Sequence, residues 1–538
     1  MPAGLAIDLT VVFGAILVLV SLANRVGIAY PILLVLGGIA LGYIPQLPPL
    51  LLSPNVLLLI FLPALLYWES VTAPTSEFFS ASGLFWMFQL AFGLVVVTML
   101  AVSAVAHALI PTMAWGTALV LGAIVSSTDE VAFGPIIERV RIPRHVVATV
   151  EGESLVNDAT SLVLYGIGVT AIATGSFSLP HAVANLAISV VAAIAIGVAT
   201  GLVAVAAWHF IKEDSLQAVI SLMTPFIAYL PAWHFGYSAV LAVIAAGFTT
   251  IAFTPRVLTP RARERGTGFW VTIVFMLNAF IFVAVGMQFH HILSALHTVP
   301  PLRLAFYGLA ISATVIVVRL AWVFAQGLLP QTNEPEHSAG KADWSHVAVL
   351  AWSGMRGGVS LAAALAIPLE TAAGPFPQRN LIIFLTFCVL LATLVGQGGT
   401  IPLLLRWLNV RDDGTDAREE RVAFAQTAKA ALKHLDVLAK RETISPGALK
   451  SLRERFAARW NEFAYAPGDA RTSNEADLYR HVLRELLDVQ RNALIELRNK
   501  GKVDNTVMRR IQRLLDLEVE EIDLVESTGH AEVDVDEV

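Results

Sequence analysis

The chain is 538 residues long, 56% hydrophobic and only 14% charged, with a formal net charge of −6 and a mean hydropathy of +0.68. Soluble domains carry about 25% charged residues, so a single water-soluble globule is excluded and a polytopic membrane protein is indicated. A lone cysteine, Cys388, inside an apolar run excludes a disulfide framework and a cysteine metal site, and no phosphate loop, hydrolase motif or nucleic-acid signature is present.

At about 20 apolar residues per crossing, the sequence predicts thirteen spans, near 5–23, 27–45, 54–73, 83–109, 113–137, 146–174, 181–211, 215–235, 237–254, 267–290, 301–328, 344–369 and 379–408. The first lacks a basic n-region and a small-residue cleavage site, so it reads as a retained span. The short eighth and ninth are marked by Pro225 and Pro231. Beyond 410 the composition changes. Residues 1–410 hold 15 of the 36 Lys+Arg and 16 of the 42 Asp+Glu, and the remaining 128 residues hold 21 and 26. The chain therefore divides into a membrane domain, 1–410, and a charged soluble domain, 411–538, of net charge −5. Apolar residues at helical spacing over 509–522 make this tail helical. Ser445-Pro446-Gly447 and Pro467-Gly468 punctuate it, and its acidic end, 532–538, has a disordered composition.

Loop charges set the orientation. With the N-terminus outside, the inside loops carry Arg25, Arg139, Arg141, Arg144, Lys212, Arg256, Arg261, Arg263, Arg265, Lys341 and the Arg406/Arg411 exit, and the outside loops carry only Arg303 and Arg379. Positive residues favour the cytoplasmic side, so the N-terminus is expected outside and the tail in the cytoplasm. Two basic residues belong to no loop: Arg319 and Arg356 lie inside apolar spans.

An ionisable group at membrane depth is costly unless it is paired, hydrated or binding an ion, so it marks a functional site. In the sixth span, Glu153 and Asn157 are four apart, as are Ser154 and Asp158. On a helix these four make one polar stripe of oxygen ligands, which suit hard cations. In the fifth, Ser126-Ser127-Thr128-Asp129-Glu130, followed by Gly134-Pro135, disfavours continuous helix. A proline kink alone explains Pro135 but not Thr128, Asp129 and Glu130. In the twelfth, Gly354-Met355-Arg356-Gly357-Gly358-Val359-Ser360 sets three glycines and an arginine amid apolar helix. Interrupted spans at corresponding places point to a transporter site built from inverted repeats; these two are seven spans apart, as two six-span repeats after one extra span require. If the breaks cross, Arg356 offsets the negative C-termini of the facing half-helices and Asp129 the positive N-termini. Arg319, deep in the eleventh span, stays charged when buried and needs a carboxylate, for which Glu153 is the choice; Asp158 is then the titrating group. Glu69 follows a Pro-containing apolar run near the cytoplasmic end of the third span. It reads either as a gating or coordinating carboxylate or as an interfacial glutamate.

Thr128-Asp129, the segment Glu151-Gly152-Glu153-Ser154-Leu155-Val156-Asn157-Asp158-Ala159, Arg319 and the segment from Gly354 to Ser360 together resemble the sodium/proton exchanger family, and within it the cation:proton antiporter branch with an Asn-Asp pair. The resemblance covers about residues 5–410. It implies an all-α membrane protein of two inverted six-helix repeats with crossed discontinuous helices, assembled as a homodimer in the cell (inner) membrane, with a dimerisation scaffold and a mobile six-helix core. It implies Asp158 as the shared ion and proton site, Thr128 and Ser154 as further oxygen ligands, Asn157 and Asp129 shaping the site, and Glu153–Arg319 as its structural ion pair. Two departures stand out: Glu130 replaces the usual Pro after Thr-Asp, making it a second candidate gate beside Glu69, and Ser70-Val71 replaces the usual Ala-Gly after Glu69.

The expected function is electroneutral Na+/H+ antiport by alternating access, with no cofactor and no nucleic-acid partner. K+/H+ exchange on the same fold is the near alternative, since these side chains do not separate the two ions. A channel, or a membrane sensor using its cytoplasmic domain, is the alternative of another class. Buried paired charges beside broken helices favour the carrier. No nucleophile–base constellation suggests an enzyme.

Overall fold

The computed structural model describes residues 2–44, 56–73, 89–129, 144–174, 179–328, 344–371, 374–410, 415–441, 445–464 and parts of 482–519. The expected breaks near Gly134-Pro135, and Glu130 itself, lie outside them. Two compact units emerge, Met1–Val410 and Arg411–Val538.

In the first unit, the helices are α1 (Pro2–Val26), α2 (Tyr30–Gly42), α3 (Leu57–Thr72), α4 (Gln89–Leu109), α5 (Trp115–Ser126), α6 (Arg144–Thr174), α7 (Leu179–Phe210), α8 (Asp214–His234), α9 (Ala239–Val257), α10 (Pro260–Ala295), α11 (Pro301–Gly327), α12 (Trp344–Trp352), α13 (Gly358–Leu365) and α14 (Arg379–Leu408). Among the described residues, eight helices are long and apolar enough to cross a membrane, and α2, α3, α5 and the Thr10–Val26 part of α1 are shorter apolar helices. Two half-helices, α12 and α13, make up the twelfth predicted span. A two-residue hairpin, β1 (Glu370–Thr371) with β2 (Gly374–Pro375), closes the turn into α14. The result is an all-α membrane fold whose elements follow the predicted spans closely.

Where the helices depart from hydropathy, the local chemistry explains it. Thr259 caps α10, its hydroxyl accepting from Ala262 N at 3.2 Å, and Pro260 sits in the first turn, where its missing N–H costs nothing. The helix therefore starts before the apolar run, and Arg261, Arg263 and Arg265 lie on its first turns rather than in a loop. Pro225 and Pro231 do not break α8, as transmembrane helices tolerate proline where neighbours satisfy the freed carbonyls. Wider π-turns occur at Leu57–Phe61, Gln89–Leu94 and Ala392–Gly398; single π-turns often accompany functional sites.

Packing divides the unit into two bundles. Helices α1–α3 and α7–α10 pack on one another, and α4–α6 pack with α11–α14, which makes the second bundle six spans. The bundles meet where α10 touches α13 and α14, and where α3 touches α6 and α13. The second unit contains α15 (Thr415–Arg441) packed against α16 (Pro446–Ala464), and a small cluster of Leu487 and Leu515 with Leu483 and Val519.

Candidate functional site

Both broken spans interrupt within the second bundle. Helix α5 stops at Ser126, and Ser127 turns to extended backbone, φ −70° and ψ 146°. Helix α12 stops at Trp352, and α13 resumes at Gly358. The extended segments between are joined directly: Asp129 N–H donates to the Met355 carbonyl at 2.9 Å, and the Ser127 and Ser360 hydroxyls are 3.0 Å apart. Stopping a helix leaves carbonyls and amides without partners, and two charged side chains take them up. Arg356 donates through Nε to Val125 O at 3.0 Å and through Nη2 to Ser126 O at 3.3 Å, the C-terminal end of α5, and its Nη1 reaches Gly354 O. Asp129 Oδ2 accepts from Gly358 N at 2.7 Å, the first amide of α13. Each charge thus meets the opposite end of the helix dipole.

The glycines make room for this arrangement. A Cβ on Gly357 would overlap the Asp129 carboxylate, and one on Gly354 would overlap the Arg319 side chain. A glycine-lined helix contact does not describe them; they clear space for charged groups.

Beside the crossing, α6 presents its polar stripe. Ser154 Oγ donates to the Thr128 carbonyl at 3.0 Å, Asn157 Nδ2 donates to Thr128 Oγ1, and Thr128 Oγ1 donates to Glu153 Oε1 at 3.3 Å. Glu153 is paired with Arg319: Nη2 to Oε2 at 2.9 Å, and Nη1 to Oε1. Arg319 Nη2 also donates to Leu350 O at 3.1 Å, so the guanidinium ties α6 to α12. Asp158 is 1% exposed, one carboxylate oxygen has no hydrogen-bond partner, and the Ser127 hydroxyl lies within hydrogen-bonding reach. Glu69, on α3 of the other bundle, is buried; its Oε2 also lacks a partner, and it stands within electrostatic range of Asp158 and Asp129.

Asp158, Thr128, Ser154, Asn157, Asp129, Glu153, Arg319, Arg356 and Glu69 are therefore brought together. Thr393 escaped sequence reasoning, and Ser360 was read only as the end of the Gly354–Ser360 segment, with no role of its own. Ser360 Oγ meets Ser127, and Thr393 Oγ1 accepts the backbone N–H of Arg356 at 3.1 Å. The available signal for Thr393 was its place in the run Ala392–Gly398, where Gln397 also sits buried.

A buried acid with an open oxygen, a hydroxyl within its reach, and interrupted helices whose ends are met by Arg356 and Asp129 fit an ion-handling membrane carrier. The comparisons identify which kind. A family model described as the transmembrane sodium/hydrogen exchanger matches residues 11–407, and the chain belongs to that family. It is 35% identical over 533 residues to an uncharacterised Na+/H+ exchanger of Mycobacterium tuberculosis, covering 96% of each chain. It is 28% identical to a sodium, potassium, lithium and rubidium/H+ antiporter of Bacillus pumilus, covering 82% of this chain and 66% of that one. Its fold matches the sodium proton antiporter MjNhaP1 from Methanocaldococcus jannaschii with a TM-score of 0.57 and 19% identity, covering 75% of this chain and 99% of that one.

Proposed function

We propose that this protein exchanges a monovalent cation, Na+ first among them, for H+ one for one by alternating access, with Asp158 as the shared site. The carrying observation is the unpartnered oxygen of Asp158, a carboxyl group sealed from solvent with the Ser127 hydroxyl within reach. A carboxylate in that setting is stabilised by a cation or by a proton, and binding one excludes the other. The Ser154 and Thr128 hydroxyls donate to Thr128 O and Glu153, and Thr128 Oγ1 accepts from Asn157, so oxygen-bearing groups of α6 and the fifth span form one network.

The charge inventory supports one-for-one exchange. Glu153 is neutralised by Arg319, Asp129 is engaged with the first amide of α13, and Asn157 is neutral. Glu69 approaches from the bundle of α1–α3 and α7–α10, and in this reading acts as a gate whose charge is felt only when the bundles close. The six-span bundle is the moving core, the other the homodimer scaffold, with the N-terminus outside and 411–538 in the cell's cytoplasm.

Proteoliposomes carrying the purified protein and an internal pH dye test this. Na+ should drive proton flux, and clamping the membrane potential should leave the rate unchanged. A potential-dependent rate would overturn electroneutrality, and current without counter-flux would mean a channel. The name of the Bacillus pumilus relative supports a second reading, a broader cation range; equal rates in Na+, Li+ and K+ would favour it.

A further inference from the structure

A cavity of about 850 Å³ opens at the end of the membrane unit formed by the α4–α5, α10–α11 and α13–α14 connections, away from the crossing. Among the described residues, its wall carries two guanidiniums, Arg303 and Arg379, and no carboxylate. Glu370 is adjacent in the chain to wall residue Leu369, but it is exposed and lines no part of the cavity. Arg303 lies in the first turn of α11 and Arg379 begins α14, and neither helix has a side-chain N-cap. Two uncapped helix N-termini and two arginines at one wall favour an anion. Gln378 donates through Nε2 to Thr112 Oγ1 at 2.7 Å, tying the α4–α5 connection to the start of α14 at the same wall.

The cavity is tied to both moving parts. Leu296, Val299 and Pro300 in its wall belong to the connection that leaves α10 in one bundle and enters α11 in the other. Arg379 Nε and Nη2 donate to Ile367 O at 2.9 Å and Leu365 O at 2.8 Å, closing the C-terminal end of α13. That half-helix has Asp129 at its other end. We propose that this cavity binds a phosphate group, free or in an anionic lipid headgroup, and that occupancy slows exchange by holding the α10–α11 connection against the core bundle. The binding stands on the cavity alone; the slowing rests on the carrier reading above.

The test uses the full chain in neutral detergent, titrated separately with inorganic phosphate and with short-chain phosphatidylglycerol, against chloride at equal ionic strength and short-chain phosphatidylcholine. Thermal melting is the readout. Either phosphate source should raise the melting temperature saturably, and which one does identifies the source. Arg303→Gln, at an exposed position, should weaken the apparent affinity about ten-fold or more, the loss expected for one charge-assisted hydrogen bond. Arg379→Lys keeps the charge but gives up the contacts to Ile367 O and Leu365 O; if it fails to fold, Arg303→Gln decides alone. No stabilisation by either source, or an equal one in Arg303→Gln, overturns the site.

Exchange in phosphatidylcholine liposomes should then slow on adding the binding species in wild type and not in Arg303→Gln. Binding with an unchanged rate overturns the braking role. Absence of exchange in both proteins, with or without phosphate, would count against the carrier reading while leaving the binding result standing.

Discussion

Arg319 and Glu153, 166 residues apart in the chain, face each other as a two-point ion pair sealed from solvent, with Arg319 Nη2 donating to Glu153 Oε2 at 2.9 Å and Nη1 to Oε1. The pair does not stand alone: Glu153 Oε1 also accepts from Thr128 Oγ1, and Arg319 reaches the end of α12 through Leu350 O. One interaction therefore fixes the polar stripe of α6 against both broken spans. Removing one partner strands the other charge, a loss of roughly 3–5 kcal/mol. Arg319→Ala should destabilise the protein more than Arg319→Ala combined with Glu153→Ala. A double-mutant cycle on thermal melts reads the coupling, and additive losses would show that the contact carries no net energy.

Asp158→Asn keeps the shape of the side chain and removes its charge. Exchange should fall to the level of empty liposomes while the protein still folds, because the open acceptor no longer attracts a cation or releases a proton. Proton flux near the wild-type rate in this variant would remove Asp158 from the site. Competition between one proton and one cation at one carboxylate also makes the apparent cation KM rise as pH falls, by at most about ten-fold per pH unit. A steeper rise would mean that two protons compete.

The fold and this site were legible to different depths. Hydropathy located the spans because bilayer thickness dictates their length, but it started the tenth at the apolar boundary, near 267, whereas α10 begins at Pro260 behind the Thr259 cap. The readable sign was the Thr-Pro pair, not the hydropathy. Arg319 and Glu153 could be matched because a deep guanidinium demands a carboxylate and few are present. Thr393 could not, since a lone threonine in an apolar helix usually bonds back to its own turn, and this one does so too, donating to Val389 O at 2.9 Å. Its second role, receiving Arg356 N–H, exists only once α12 and α13 are separated in space. The same holds for Ser360, whose partner Ser127 lies 233 positions away.

Neighbouring glycines at the crossing give a sharp contrast. A methyl group at Gly357 would run into the Asp129 carboxylate, but one at Gly358 meets Ile281 Cγ2 at an ordinary 3.5 Å. Gly357→Ala should cost about 1–3 kcal/mol of stability, the range for overpacking, and abolish exchange by prising Asp129 from α13. Gly358→Ala leaves the amide that Asp129 accepts from in place and should change stability by less than about 1 kcal/mol. Melting and exchange measured on both variants check this. Equal damage from the two would mean that helix α13 is sensitive to any added bulk, and that the Asp129 contact is not the reason.

The proposed ion site and its supports all lie within 1–410, a compact unit by itself, and the helices of 411–538 form the other. The tail can therefore bias which state the carrier occupies but cannot perform the chemistry. Truncation after Thr415, at the start of α15, should leave cation/proton exchange intact and change its pH profile or maximal rate, a shift of about five-fold being what a coupling of about 1 kcal/mol delivers. The measurement is dye-reported exchange across a pH series for full-length and truncated protein in the same liposomes. A truncated protein that folds yet moves no ions at any pH would end this division of labour. Superimposable profiles would instead leave the tail with no part in transport, and its charged helices would have to be explained by a partner in the aqueous phase.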